Sequence, residues 1–142
     1  MQPLHILLQE ADDEHRSKIN SDILSEGFHG SLHVYKSFHL MEWHFFLHLP
    51  DVIIFNWQYP QQLCFDFIAK AKNAHPAVVL IVTFDFVQPD FFFQLQQLGV
   101  QQCLVKPFDV VVIFTRTAHL LLTPNSITIL IFLKIKYDCK HS

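Results

Sequence analysis

Polar residues follow the apolar runs that recur along this chain of 142 residues. Glu10 follows the first run and Asn56 the third, Thr83 ends the fourth, and Lys106 follows the fifth. In an open parallel α/β sheet, ligands bind beyond the carboxyl ends of the strands. Asn56 therefore stands where a working residue is expected. Because an amide is neither a nucleophile nor a base, we predict a site that is present in outline and has lost its chemistry.

The third run, residues 52–55, is apolar without interruption, which indicates a central strand covered on both faces of a parallel sheet. Strand patterns alternate with helical patterns five times, as in βαβ units. We predict an α/β fold, a doubly wound (βα)5 structure with a five-stranded parallel sheet. The predicted strands are 4–8, 31–35, 52–55, 77–83 and 100–105, and the predicted helices are 14–26, 38–49, 61–73, 89–98 and 109–122.

The chain is expected to form one domain over residues 1–122 with a C-terminal extension over residues 123–142. In the extension, β-branched residues recur with a period of two, which favours a strand, and a helix is the alternative. After the first predicted strand, Asp12 or Asp13 is placed to cap the first helix. Asp109 is placed to cap the fifth.

Composition and charge exclude several classes of protein. The chain is 51% apolar, so it is not disordered, and its formal charge of -3 gives no basic footprint for nucleic acid. The N-terminus lacks the basic region of a signal peptide, and the most apolar window, 127–133, is far shorter than the ~20 residues that cross a bilayer. Cys64, Cys103 and Cys139 are few and widely spaced, which favours buried thiols in a reducing compartment. We expect a cytoplasmic protein without nucleic-acid or membrane partners.

Four motifs at the predicted strand ends resemble the receiver domain of response regulators, which serve two-component signalling. They are ILLQEADDEHR (6–16), PDVIIFNWQYP (50–60), VT (82–83) and LVKPF (104–108). Each motif is weak alone, whereas the four in this order are together fairly specific. The resemblance covers roughly residues 4–122 and implies a flavodoxin-like fold.

The resemblance also implies a phosphoryl-transfer site. In receiver domains, an aspartate at the position of Asn56 accepts a phosphoryl group from a histidine kinase. Mg²⁺, held by that aspartate and by an acidic pair after the first strand, neutralises the phosphate, and a hydroxyl and a lysine contact its oxygens. By resemblance, Thr83 and Lys106 supply these last two groups. Pro107 follows a peptide bond that is often cis in this family.

Several residues depart from the family pattern. Asn56 cannot form the acyl phosphate, and Glu10 and Ala11 align with the acidic pair, so that a methyl group replaces one carboxylate. A hard cation needs several charged oxygens, and we therefore expect Mg²⁺ binding to be weak or absent. Phe84 replaces a small residue, and its ring is expected to crowd the phosphate entrance. Cys103 stands where the family has a switching Tyr or Phe.

Three further residues have structural alternatives. Asp12 replaces the lost carboxylate if the loop slips by one residue, although Asn56 still blocks transfer. Lys106 is expected to bond the amide oxygen of Asn56 or a backbone carbonyl and to hold the loops together, rather than to bind an anion. Thr83 is expected to make a local bond at the end of its strand.

Ten histidines raise the question of a metal site. His44 and His48 are four residues apart on a predicted helix and can share a face. We expect no native metal site, because no third ligand stands at a convincing position and His29 and His33 lie around a strand. If His44 or His48 is partly buried, it becomes a candidate for titration near neutral pH. No Gly-rich phosphate loop follows the first strand, so flavin binding is not expected.

The fourth and fifth predicted helices and the tail carry more apolar residues than one buried stripe requires. In receiver domains the face made by the fourth helix, fifth strand and fifth helix contacts partners. Because large exposed apolar surfaces usually mark an interface, we expect a homodimer, and the alternative is a monomer whose tail covers this face. The expected interface residues are Phe91, Phe92, Phe93, Val111, Phe114, Ile129 and Ile131.

The sequence therefore predicts a pseudo-receiver, a non-enzymatic domain that acts by protein–protein interaction, independently of phosphorylation and without a cofactor. The alternatives are an authentic response regulator with an unusual phospho-acceptor site and a flavodoxin-like binder of a small molecule. A DNA-binding regulator is disfavoured because no output domain is visible.

Overall fold

The computed structural model describes residues 3–114 and shows strands alternating with helices. The strands are β1 (Leu4–Gln9), β2 (Gly30–Tyr35), β3 (Val52–Asn56), β4 (Val79–Phe84) and β5 (Gln102–Val105). The helices are α1 (Asp13–Ser25), α2 (Phe38–His48), α3 (Gln62–Ala74) and α4 (Pro89–Gln97). All strand pairs are parallel, and the sheet order is β2-β1-β3-β4-β5. The predicted α/β fold with a five-stranded parallel sheet is confirmed.

β4 and β5 each begin two residues later than predicted, because the turns that follow α3 and α4 take up the residues before them. The other strand ends lie within one residue of the predicted ones. β4 begins at Val79 instead of residue 77, since the turn after α3 is closed by a bond from the Val78 N–H to the carbonyl of His75 (3.0 Å). β5 begins at Gln102 instead of residue 100. The Val100 N–H bonds the carbonyl of Leu95 (3.0 Å), which holds Val100 in the turn that follows α4.

The main core lies on one face of the sheet, under α2, α3 and α4. Alternate residues of the strands point to it, because successive side chains of a strand point to opposite faces. Its members on the central strands are Leu7, Ile53, Phe55, Leu80 and Val82. The intervening residues Ile6, Leu8 and Ile54 are buried on the other face, and α1 buries Ile19 and Ile23 outside the main core. Helices on both faces make the sheet doubly wound.

The edge strand β2 begins at a glycine for a steric reason. A Cβ atom at Gly30 would lie 1.8 Å from the carbonyl oxygen of Leu4, and Gly30 has a φ of +148°. Leu4 and Gly30 are partners in the β1–β2 register. Only glycine allows the two backbones to approach this closely, so Gly30 sets where β2 joins the sheet.

Residues up to Pro107 form one compact unit that contains the whole sheet. Beyond it, a helical turn spans residues 111–114, and the Asp109 side chain accepts a hydrogen bond from the Val111 N–H at 3.0 Å, as expected of a capping residue. The rest of the predicted fifth helix and the extension 123–142, with Ile129 and Ile131, lie outside the described residues. None of the helices in residues 3–114 has the length and apolar character needed to cross a bilayer.

Candidate functional site

The carboxyl ends of β1, β3, β4 and β5 bring the four polar residues of the sequence motifs to one edge of the sheet. Asn56 and Thr83 are register partners on β3 and β4. Lys106 follows β5, and its side chain reaches Glu10, which follows β1 and lies 96 positions earlier in the chain. The polar residues that end the apolar runs therefore do lie together at one edge of the sheet.

Asn56 is held in place by hydrogen bonds on three sides. The Thr83 hydroxyl donates to the Asn56 side-chain oxygen at 3.0 Å. The Asn56 N–H donates to Oε1 of Gln9 at 3.2 Å, and Gln58 Nε2 donates to the Asn56 carbonyl at 3.1 Å. Asn56 and Thr83 are both buried. The local bond expected of Thr83 is thus made to the Asn56 amide.

Lys106 is the centre of a closed ionic cluster. Its Nζ atom lies 2.6 Å from Oε1 of Glu10, 2.7 Å from Oδ1 of Asp85 and 2.9 Å from Nδ1 of His15. Burial alone would lower the pKa of Lys106, but hydrogen bonds to the Asp85 and Glu10 carboxylates outweigh it and raise the pKa above the usual range. The side chains of Lys106 and Glu10 are only 8% and 2% exposed, whereas those of Asp85 and His15 are about half exposed, so water reaches one side of the cluster.

The partners of Lys106 differ from the expected ones. Lys106 was expected to bond the Asn56 amide oxygen or a backbone carbonyl, whereas its three partners are side chains, two of them carboxylates. The amide oxygen of Asn56 is instead taken by Thr83. The expected role, holding the loops together, is retained, because Lys106 ties the end of β5 to the loops after β1 and β4.

Both carboxylate oxygens of Glu10 are engaged. Oε1 accepts from Lys106, and Oε2 accepts from the backbone N–H of Asp12 at 3.0 Å. Glu10 is buried, whereas the neighbouring Ala11 is exposed and carries no ligand atom on its side chain. Of these two residues only Glu10 therefore offers a carboxylate, and both of its oxygens have partners within the chain.

Asp12 does not replace the lost carboxylate. Its side chain caps α1 and accepts a hydrogen bond from the His15 N–H at 2.8 Å. This bond lowers the pKa of Asp12 below its ordinary value. The slipped loop considered as an alternative is therefore not seen, and the capping role expected of Asp12 or Asp13 falls to Asp12.

The ring of Phe84 lies in the core and does not crowd the site. Phe84 is 1% exposed and stacks on Trp57, with ring centroids 5.4 Å apart and an interplanar angle of 25°. Thr83 and Phe84 are adjacent on β4, so their side chains point to opposite faces of the sheet. The expected crowding of the phosphate entrance was wrong. The large residue enlarges an aromatic cluster with Trp57 and Phe92.

Asp85 and His15 complete the cluster and were missed at the sequence level. The sequence held a signal for Asp85, because Asp85 lies just beyond the predicted fourth strand as Lys106 lies beyond the fifth. In the structure, Phe84 and Val105 are register partners, and Asp85 and Lys106 directly follow them. His15 lies in the first turn of α1, three residues after the capping Asp12. Its position follows from the angle at which α1 leaves the sheet, and no local pattern encodes this angle.

A histidine cluster joins α2 to the edge strand β2. The rings of His44 and His48 lie 4.6 Å apart, and that of His33 lies 4.7 Å from His44. The Tyr35 hydroxyl is 2.9 Å from Nδ1 of His44. Burial and the neighbouring His33 and His48 lower the pKa of His44 below its ordinary 6.5. Within residues 3–114, no three His, Cys, Asp or Glu side chains are arranged to hold a metal ion.

The two described cysteines lie against apolar neighbours, as expected of filler residues. Cys64 is fully buried, and burial raises the pKa of its thiol to about 11. Cys103 is partly buried and packs against the main core, and burial raises its pKa to about 11 as well. The Lys106–Pro107 peptide bond is cis.

The expected interface residues have different surroundings. Phe91 and Phe92 are partly buried and pack against the main core, while Phe93 is 67% exposed. Val111 is also exposed, and Phe114 is partly buried. Of the predicted aromatic run on α4, Phe93 is therefore the ring most available to a partner.

Comparison with known proteins bears on the fold. No protein-family model and no curated protein sequence matches the chain. The solved structures include a receiver domain protein of Clostridium thermocellum, with 16% identity, 82% of this chain and 93% of that chain covered, and a TM-score of 0.72. The chain has the receiver-domain fold.

Two other receiver structures are equally similar. The beryllofluoride-activated receiver domain dimer of NtrC4 shares 22% identity over 81% of this chain and 93% of its own, with a TM-score of 0.69. HP1043, an orphan response regulator of Helicobacter pylori, shares 18% identity over 80% of this chain and 96% of its own, also with a TM-score of 0.69. At identities this low, the similarity establishes the fold alone. Any chemistry has to be inferred from the residues of the site.

Proposed function

We propose that this chain is a pseudo-receiver, a regulatory domain of two-component signalling that acts by protein–protein interaction and transfers no phosphoryl group. The observation that carries this proposal is the environment of Asn56, at the end of β3. An amide stands there, and its oxygen accepts a hydrogen bond from Thr83. An amide cannot act as the carboxylate nucleophile that forms an acyl phosphate.

The charges around Lys106 also argue against binding a phosphoryl group. Two carboxylates, from Glu10 and Asp85, already neutralise the single ammonium group. A phosphoryl group in this position would meet a cluster with a net negative charge. Stabilising its oxygens would require free positive charge or hydrogen-bond donors aimed at them, and the donors of Lys106 are directed to Glu10, Asp85 and His15.

The donor set does not fit Mg²⁺ either. This ion requires near-octahedral oxygen coordination and is usually bound through carboxylates. At this edge, Ala11 offers a methyl group, both oxygens of Glu10 have partners, and Asn56 offers an amide oxygen that Thr83 occupies. The proposed function therefore contains no step that depends on a metal ion, and the domain is proposed to be without catalytic activity.

Phosphoryl uptake and beryllofluoride binding test the proposal. The wild-type chain is incubated with radiolabelled acetyl phosphate at millimolar Mg²⁺, and beryllofluoride binding is followed by ¹⁹F NMR. We expect no label and no bound fluoride signal. The matched variant Ala11→Asp/Asn56→Asp restores two carboxylates at the same edge and is expected to bind Mg²⁺ more tightly than either single variant. Stoichiometric labelling of the wild-type chain would refute the proposal.

We further propose that the protein contacts a second copy of itself. The NtrC4 receiver domain to which the chain is similar is a dimer in its activated form. Exposed apolar residues support a contact of this kind here, because contiguous apolar surface on a soluble domain usually marks an interface. A self-associating domain does not need a phosphoryl group to create its contact surface, since the apolar residues are already exposed.

A further inference from the structure

Helix α2 is apolar on its outer side as well as on its inner side. The inner side packs into the main core through Phe38, Met41 and Phe45. On the outer side, Trp43 is 63% exposed, and Leu40 and Leu47 are 54% and 56% exposed. We call these three outer residues the α2 stripe. Because exposed apolar residues that share one face usually mark an interface, the stripe is a candidate contact surface.

The charges of α2 indicate which kind of partner could bind to the stripe. The helix contains no Lys or Arg, so it offers no basic footprint to a nucleic-acid backbone or to an anionic membrane. Its single acidic residue, Glu42, lies 3.6 Å from Nδ1 of His39 within the same helix. Two copies of this surface can therefore approach each other at neutral pH without strong repulsion between like charges. The chemistry of the stripe fits another apolar protein surface.

The spacing of the stripe is compatible with its own copy. Leu40 lies three residues before Trp43, and Leu47 lies four residues after it. Residues at this spacing share one face of a helix. A two-fold axis near Trp43 would pair two α2 helices in antiparallel orientation, with Leu40 of each facing Leu47 of the other. Such a contact is self-complementary and closes as a dimer.

We propose that the α2 stripe is the surface through which two copies of this chain associate, as an antiparallel pair of α2 helices. This inference rests on the homodimer proposed above and assigns it a surface. That surface differs from the α4–β5 side, which the sequence indicated through residues such as Phe93. The exposed stripe on α2 is longer and more regular than the exposed part of the α4 aromatic run, where Phe91 and Phe92 are packed against the core.

Sedimentation equilibrium of two matched variants tests which surface is used. Trp43→Glu places a charge at the centre of the stripe, and Phe93→Glu places the same charge at a residue of similar exposure on α4. We expect Trp43→Glu to raise the dimer dissociation constant by at least about 30-fold, as is typical for a central tryptophan of an interface. Phe93→Glu should leave it nearly unchanged. Far-UV circular dichroism and the urea midpoint show that each variant is folded.

Disulfide cross-linking tests the antiparallel pairing independently. In the double variant Leu40→Cys/Leu47→Cys, the two cysteines of one helix are seven residues apart, roughly 10 Å along the axis, which is too far for an intramolecular bond. In the proposed dimer each faces its counterpart on the other copy. Mild oxidation should therefore give a covalent dimer for the double variant, and far less for either single variant and for the wild-type chain.

The outcomes separate this inference from the proposed function. If Phe93→Glu dissociates the dimer and Trp43→Glu does not, the α2 surface is wrong while the homodimer stands. Efficient cross-linking of the single variants would overturn the antiparallel arrangement. A wild-type chain that stays monomeric at all concentrations would overturn both the surface and the homodimer. None of these results alters the test of phosphoryl uptake, which depends on Asn56.

Discussion

Replacing Lys106 by methionine should destabilise the protein strongly, because Lys106 neutralises a buried carboxylate. Glu10 is 1% exposed, and its Oε1 lies 2.6 Å from Lys106 Nζ. Removing one partner of a buried ion pair typically costs 3–5 kcal/mol. Asp85 and His15 are about half exposed and admit water to one side of the cluster, so we expect a loss near the lower limit, about 3 kcal/mol.

Urea denaturation followed by circular dichroism measures this loss of unfolding free energy, and a loss of this size lowers the melting temperature by roughly 10 °C in a domain of this length. The matched control is Lys36→Met, which breaks an ion pair to Asp13 in which both side chains are largely exposed. Exposed pairs contribute little, so this variant should be close to wild type.

A double variant isolates the electrostatic part of the effect. Glu10→Gln removes the buried charge, so Glu10→Gln/Lys106→Met should be more stable than the sum of the single effects by about 2 kcal/mol. If Lys106→Met is no less stable than Lys36→Met, or if the two site variants are additive, Lys106 does not hold the edge of the sheet together through Glu10.

Three further predictions concern the residues around the site and the histidine cluster. Thr83→Val removes the hydrogen bond to the neighbouring amide and should cost about 1 kcal/mol in urea denaturation, whereas Thr83→Ser keeps the donor and should lose less. Phe84→Ala empties a core position and should cost about 3 kcal/mol, whereas Phe86→Ala, at an exposed ring, should cost little; equal losses would contradict the packing seen here. Because the pKa of His44 is lowered in the folded state, the unfolded chain binds the proton first and stability should fall as the pH drops below 6.5. His44→Phe should flatten this fall and the exposed His39→Gln should not, and a fall unchanged in His44→Phe would contradict the assignment.

The sequence predicted that these polar residues would meet at one edge of the sheet, because two simple features determine where they lie. Apolar runs define the strands, and a parallel sheet brings all the carboxyl ends to one edge. Asn56, Thr83, Glu10 and Lys106 each stand at the end of such a run, so their meeting required no knowledge of side-chain directions. The doubly wound fold followed from the same alternation of runs.

The directions of side chains were harder to predict. The expectation for Phe84 considered its size beside Thr83 and neglected strand alternation, which turns adjacent residues to opposite faces. Lys106 has a long, flexible side chain, and its choice of Glu10 and Asp85 over the Asn56 amide depends on where two loops carry their charges. Contacts that join distant parts of the chain leave no local pattern.

The outer side of α2 shows a second limit of sequence patterns. The helix is apolar in most directions, so periodicity does not distinguish the residues that face the core from those that face outward. The sequence therefore directed attention to the aromatic run of α4, while the structure exposes Trp43 between Leu40 and Leu47. A helix that exposes several large apolar residues is a reason to look for a partner, whichever side proves to be exposed.

The closed cluster at the sheet edge explains why the input to this domain is expected to come by contact. In a phosphorylated receiver, the hydroxyl and the lysine would be free to bind the new phosphate. Here Thr83 already bonds Asn56, and Lys106 is shared by Glu10 and Asp85. Moving either residue would leave a buried polar partner unsatisfied, which costs free energy. Under the proposed function, a change in the state of the domain starts at an exposed surface, and binding energy from an apolar surface such as the α2 stripe is available without disturbing the cluster.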